Sequence, residues 1–200
     1  VFKGPGKMHS GYHGLRRLGD NFPLSLPLIR EIHAQLMQGV RGGEKTPGEF
    51  RRTQNWIGGA GCTLTTASFV PPPPHELMNA LDGLEKFLHQ GRHSLPLLVR
   101  CGLAHAQFET IHPFNDGNGR VGRALVHILL RRRGLVGGFV PPVSVVLANQ
   151  RHVYIEALTR FRQGEYAPWI ELFAASVAQS VVLARGYLAQ VEALRERWRN

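Results

Sequence analysis

The sequence predicts an all-α domain carrying one short β-hairpin, and three observations lead there. Apolar residues recur at helical spacing over most of the 200-residue chain. The period fails once, over residues 55–70, where glycines and a β-branched run take its place. A composition 43% hydrophobic and 19% charged is that of a chain able to bury a full core.

In chain order, Pro27, Leu28, Ile29, Ile32, Leu36, Met37 and Val40 mark the first helical face, ended by Gly39 and Gly42-Gly43. Over 55–70, Gly58-Gly59, Gly61 and the run Thr63, Thr65, Thr66 predict a hairpin. Prolines at 71–74 then form a rigid polyproline II connector. A second helix over 75–90 follows from Leu77, Met78, Leu81, Leu84, Phe87 and Leu88, and a third over 95–111 from Leu98, Leu103, Ala104, Ala106 and Phe108. The fourth, 118–133, carries Val121, Ala124, Leu125, Ile128 and Leu129 and is stopped by Gly134. Further helices are expected over 150–162 and 167–200, the last bent near Gly186. No internal repeat is present. Residues 1–22, basic and glycine-rich, are set apart as an N-terminal extension, and 23–200 are expected to form one domain.

Several classes are disfavoured. Two cysteines, Cys62 and Cys101, are too few for a disulfide scaffold and fit a reducing compartment. The stretch 134–150 is interrupted by Gly137-Gly138 and Pro141-Pro142, so no membrane span is expected. Residues 1–21 lack the apolar core of a signal peptide, and the cytoplasm is the expected location. The formal charge of +10 gives the surface an excess of cations.

The densest signal is residues 111–123, Ile-His-Pro-Phe-Asn-Asp-Gly-Asn-Gly-Arg-Val-Gly-Arg. Gly117, Gly119 and Gly122 satisfy the dinucleotide fingerprint, but a helical segment precedes them instead of a strand. No acidic residue lies between Asp116 and Glu156 to hold a ribose. The phosphate-loop pattern fails at Arg123-Ala124, where Lys-Ser/Thr is required. The underlying physics does not depend on either label. Gly117-Asn118-Gly119 opening a helix presents main-chain amides at the positive end of its dipole, a cradle for anions. Arg120 and Arg123, three apart, can clamp further phosphates from the first turn. Asp116 is a lone carboxylate among cations, suited to hold a Mg²⁺ ion that bridges phosphate oxygens. His112, kept neutral by Arg120 and Arg123, is a candidate general base. His33, His89 and His127 are expected to be structural, and Cys62, Cys101, His105 and His112 lack the paired spacing of a zinc site.

These residues resemble the signature of the Fic family, His-x-Phe-x-(Asp/Glu)-Gly-Asn-Gly-Arg-x-x-Arg, with every defined position present. Pro47 to Arg51 and Gln54 to Gly58 resemble the family's lead into a β-hairpin flap, and Phe69 to Pro72 its exit. Asn149-Gln150-Arg151, Tyr154 and Trp169 resemble its C-terminal helices. The resemblance implies a Fic-type helical bundle over 23–200 with the flap beside the active site. It implies a protein adenylyltransferase that moves AMP from ATP to a Ser, Thr or Tyr hydroxyl of a target protein and releases pyrophosphate. Carried onto this chain, His112 is the base, Asp116 holds Mg²⁺, and Gly117, Asn118, Gly119 and Gly122 belong to the phosphate cradle. Arg120 and Arg123 bind the outer phosphates. Thr66, Ala67, Ser68 and Phe69 border the nucleotide, and the target docks along the flap edge by β-augmentation. Tyr154, Ile155 and Leu158 line the adenine pocket.

Many relatives carry an inhibitory helix marked (Ser/Thr)-x-x-x-Glu-(Gly/Asn), and no Glu of this chain has Ser or Thr four residues before it. A brake is therefore missing, supplied by a separate antitoxin-like chain, or located upstream of Val1. Two alternatives stand beside adenylyl transfer. One is a different phosphate-transfer chemistry within the same family. The other is a basic nucleic-acid-binding module using Arg16-Arg17, Arg51-Arg52, Arg131-Arg132-Arg133 and the arginines of 195–199. No recognition helix or aromatic platform accompanies those arginines, so nucleic acid is not the expected partner.

Overall fold

The computed structural model describes residues 23–40, 42–89, 95–132 and 141–199. Among them are seven helices: α1 (Leu26–Leu36), α2 (Leu77–His89), α3 (Leu97–Ile111), α4 (Asn118–Arg132), α5 (Val143–Asn149), α6 (Arg151–Arg162) and α7 (Tyr166–Arg199). The 1–22 extension, with Arg16-Arg17, lies outside the described residues, as does Arg133.

Helix α3 is the centre of the bundle, packed against α2, α4, α6 and α7. Its buried positions surround the axis, from Cys101 and Gly102 through Ala104, Ala106, Phe108 and Ile111. Small residues allow close neighbours: a Cβ at Gly102 would stand 3.2 Å from the Phe173 ring. The Gly102 carbonyl accepts a 2.8 Å bond from the Trp169 indole, which is fully buried and therefore needs that partner. Buried Arg100 reaches back from α3 to the Phe87 and Leu88 carbonyls, at 3.0 and 2.9 Å, and so satisfies acceptors that the last turn of α2 leaves open. Leu26 N donates to Glu85 Oε1 at 2.7 Å, which ties the start of α1 to α2.

The structure departs from the sequence reading at four points. No strand occurs among the described residues, so there is no β-hairpin flap; 55–70 is a loop with a single antiparallel bridge between Ile57 and Phe69. The reason lies in the threonines. Thr63 N donates to Thr66 Oγ1 at 2.9 Å and Thr66 N to the Thr63 carbonyl at 3.2 Å, so these residues close a turn on themselves. Side chain-to-backbone bonding of this kind competes with a ladder and here overrides β-propensity. Second, residues 143–149, to which the spacing assigned no element, form α5, with Val143, Val146 and Leu147 buried at helical spacing. Third, α7 runs unbroken through Gly186 for 34 residues. Fourth, by length and composition α7 can cross a membrane, with mean hydropathy 1.4 over its best window, contrary to the expectation that no such stretch exists. Its buried residues, from Trp169 to Ala184, pack inside the bundle.

Candidate active site

The turn after α3 is built by side chains distant in sequence. Helix α3 ends at His112, which adopts the left-handed conformation (φ 48°, ψ 61°) while its N–H donates to the Phe108 carbonyl at 2.9 Å. A non-glycine residue there is strained by roughly 1–3 kcal/mol, and the surroundings hold it in place. Arg51 Nε and Asn55 Nδ2 both donate to the His112 carbonyl, at 3.0 and 3.1 Å. Arg51 is only 3% exposed, and its other donors reach Thr53 O at 3.2 Å and Pro72 O at 2.5 Å. Asn55 also donates to Phe114 O at 3.1 Å.

Phe114 anchors the loop, fully buried and stacked on the His33 ring with centroids 3.8 Å apart. The Asn118 amide closes the turn in both directions. Its Oδ1 accepts from Phe114 N at 2.9 Å, and its Nδ2 donates to Phe114 O at 2.7 Å. The side chain of Asn118 therefore shapes the cradle from inside. His33 Nδ1 accepts from Gly48 N at 2.8 Å, which fixes the proton on Nε2 for donation to the Asp116 carbonyl at 3.0 Å. The expected structural role of His33 is what the geometry gives. Gly117 has φ +79°, and a Cβ there would stand 2.6 Å from Met37 Sδ and 3.1 Å from His33 Nε2. Gly117→Ala is accordingly expected to cost about 1–3 kcal/mol in a urea unfolding titration.

The outer face of the turn carries charge. Asp116 Oδ1 accepts from Gly117 N at 2.6 Å, while Oδ2 lies 4.0 Å from Lys45 Nζ. Among the described residues no three His, Cys, Asp or Glu side chains converge as a metal cluster, so Asp116 stands as a single carboxylate. Arg120 Nη1 lies 2.8 Å from Met37 Sδ. A Cβ at Gly119 would stand 2.9 Å from Arg123 Nη1, so the bare glycine gives that guanidinium room across the first turn. The amides of Asn118 and Gly119 open α4 and by position have no intrahelical acceptor.

Behind His112 lies a buried polar cluster. Glu109, 7% exposed, holds Oε2 3.9 Å from His112 Nδ1. His105 Nε2 and the Tyr154 hydroxyl are 3.1 Å apart. The Arg162 guanidinium lies 3.8 Å over the Phe69 ring. Burial pushes His112 down to about 4, with Arg162 and Arg51 adding to the effect and the Glu109 carbonyl and Asp116 opposing it. His112 is therefore neutral at pH 7, as expected, although burial and not Arg120 or Arg123 is the main cause. Burial also pushes His105 down to about 4. Glu109 is pushed up to about 7 by burial, against the pull of Arg123 and Arg162.

The remaining candidates divide. Phe69 joins the cluster beneath Arg162, whereas the Thr66 hydroxyl is engaged in its own turn and Ser68 N donates to Ile57 O at 2.8 Å. Ala67 is half-buried in the same loop. Tyr154 turns its hydroxyl inward to His105, Leu158 is buried in the core, and Ile155 is exposed, so these three do not form one wall. Gly122 is a packing position: a Cβ there would stand 2.8 Å from Glu109 Oε1 and 3.3 Å from His105. An open groove of about 560 Å³, lined by Arg30, Phe50, Arg52, Pro74 and Met78 among others, includes neither His112 nor Asp116 in its walls.

Glu109, His105, His33, Lys45 and Arg162 had no assigned site role from sequence, while Arg51 and Asn55 were read as part of the lead into the flap and Arg51 also as a cation of the basic surface. Glu109 and His105 precede His112 by three and seven residues, a helical spacing that places them on its face of α3. Arg162 and Lys45 carry no comparable signal.

The model of the Fic/DOC family matches residues 23–130. Over 152 residues the chain is 34% identical to a protein adenylyltransferase Fic of Culex quinquefasciatus, covering 76% of this chain and 27% of that protein. The chain thus spans about a quarter of the length of such curated relatives. A Fic family protein from Desulfovibrio desulfuricans G20 superimposes with a TM-score of 0.73 at 22% identity, covering 94% of this chain and 56% of the other. The BepC protein of Bartonella tribocorum, solved with bound AMPPNP, superimposes with a TM-score of 0.54 at 20% identity, covering 86% and 87%. At such identities the likeness is one of fold.

Proposed function

The chain belongs to the Fic/DOC family, and from that premise we propose that it transfers AMP from ATP to a hydroxyl side chain of a target protein. One observation carries the reading. The complete signature of residues 112–123 sets a neutral imidazole, a carboxylate and helix-opening amides along one turn, with Arg120 and Arg123 following in the first turns of α4. Protein adenylyltransferase relatives, 34% identical over 152 residues, support the same chemistry.

His112 Nδ1 is buried while the side chain keeps 22% exposure, so its Nε2 edge faces the open side. In the proposed step Nε2 takes the proton of the attacking hydroxyl, the new bond forms from that oxygen to the α-phosphorus, and the bond to the β-phosphate oxygen breaks. The amides of Asn118 and Gly119 and the Arg120 and Arg123 guanidiniums balance charge on the departing pyrophosphate. Asp116 is the residue that would hold Mg²⁺. A single carboxylate with one oxygen turned away from the main chain fits an ion that keeps its waters and takes its other ligands from phosphates. When bound, Mg²⁺ supplies charge neutralisation at the phosphate oxygens. Residues 23–200 are read as the catalytic domain.

The direct test incubates the protein and candidate targets with ATP labelled at the α- or the γ-phosphate. Label reaching protein only from the α position is the expected result, and chelation of divalent cations removes it. Label only from the γ position would replace this reading with kinase-type chemistry. Arg123→Ala is expected to raise the KM for ATP about 10- to 100-fold, the scale of a charge-assisted bond to phosphate. Arg131→Ala, in the last turn of the same helix, changes it less than about two-fold, as surface substitutions remote from a site do.

A further inference from the structure

We propose that Glu109 is a positioning residue for His112, its carboxylate accepting the Nδ1–H of the imidazole and so presenting the Nε2 lone pair to the hydroxyl to be modified. The proposal rests on the reading of His112 as the base. Its geometry is independent of that reading. Both side chains stand on one face of α3, three residues apart, with Glu109 in the last turn and His112 at the cap. Glu109 Oε2 and His112 Nδ1 are 3.9 Å apart, just beyond hydrogen-bond reach, so the bond forms when one of the two side chains turns toward the other. His112 Nδ1 and Glu109 Oε1 are both buried without a hydrogen-bond partner among the described residues. Two acceptors of Glu109 therefore compete for Nδ1–H, its main-chain carbonyl and its carboxylate, and the carboxylate, with Oε1 unpartnered and Oε2 nearest the ring, gains most by taking it.

The main chain of His112 is already immobilised by Arg51 and Asn55, so only its side-chain torsions remain to be set. Around Glu109 stand His105 from α3, Arg123 from α4, and Tyr154 and Arg162 from α6; Arg51 and Asp116 also act on His112. The two arginines favour the carboxylate and burial opposes it, which brings Glu109 to about 7. Its capacity to act as an anionic acceptor is therefore switched on across the neutral range.

The test uses the full chain and two substitutions. Glu109→Leu removes the acceptor and is expected to lower kcat by about 10- to 100-fold, the scale of losing a group that orients a histidine, with KM for ATP held within about two-fold. Glu109→Gln keeps an acceptor and restores most of kcat, but it flattens a rise in wild-type kcat between about pH 6 and 8. A purely structural counter-ion to Arg123 and Arg162 would behave otherwise. Leu and Gln would then be equally damaging and the loss would fall on KM, which overturns the proposal. Independently of any reaction, ¹⁵N resonances of the His112 ring at about pH 8 should report the Nδ1–H tautomer in the wild type, and an Nε2–H ring there overturns the proposal. If the wild type transfers no AMP, the functional reading fails while the ring-nitrogen measurement still decides this one. If the Leu variant does not fold, the Gln pH profile and the wild-type resonances decide it.

Discussion

His112→Ala is expected to lose transfer by about 10²–10⁴-fold, the usual contribution of a general base, while retaining the fold and ATP binding. The residue permits this separation because its side chain keeps 22% exposure and its Nδ1 makes no hydrogen bond that the fold depends on. Phe114 and Ile111, on either side, are the buried anchors, and the His112 main-chain contacts to Arg51 and Asn55 do not require the imidazole. Alanine tolerates the left-handed conformation no better than histidine, so a small loss of stability accompanies the change. Circular dichroism and nucleotide titration check the fold and binding, and α-labelled ATP checks the transfer. Unchanged turnover would remove His112 from the chemistry.

The second large effect is expected at Arg51. Its guanidinium lies in the interior and donates to the carbonyls of His112, Thr53 and Pro72, joining the turn after α3 to both ends of the 53–72 loop. Arg51→Met preserves length and apolar contact but leaves the Thr53 and Pro72 carbonyls without this donor and the His112 carbonyl with Asn55 alone. Each stranded acceptor costs about 1–3 kcal/mol, so a loss of roughly 2 kcal/mol or more in denaturant unfolding is expected. Activity should fall further than stability alone explains, because His112 loses one of the two donors that hold its carbonyl. A variant with wild-type stability and turnover would show that Asn55 suffices. The same contacts account for the failure of Arg51 as a phosphate-tracking surface residue: its charge is directed at main-chain oxygens and is turned away from solvent.

The long helices were legible because their burial is periodic. Leu77, Leu81, Leu84 and Leu88 on α2 can be read from spacing alone and are buried on one side. The 55–70 segment misled for the opposite reason. Thr63 and Thr66 have strand propensity, yet their hydroxyls found partners within three residues, and a local bond that costs no loop closure formed in preference to a ladder. Helix α5 escaped notice because seven residues behind two prolines give barely one repeat of the pattern.

By itself the sequence determined the helical framework and marked residues 112–123 as a candidate anion site. Those residues are contiguous, and a carboxylate, two arginines and three glycines within one turn imply an anion site wherever the turn is placed. Only the tertiary structure decided what holds that turn and what surrounds its imidazole. His33 meets Asp116 across 83 positions, Arg51 meets His112 across 61, and Arg162 reaches Phe69 and the Glu109 carboxylate from another helix. Contacts at such separations leave no spacing to read. They arise when the core closes and excludes water, and the same loss of water that neutralises His112 raises Glu109 beside it.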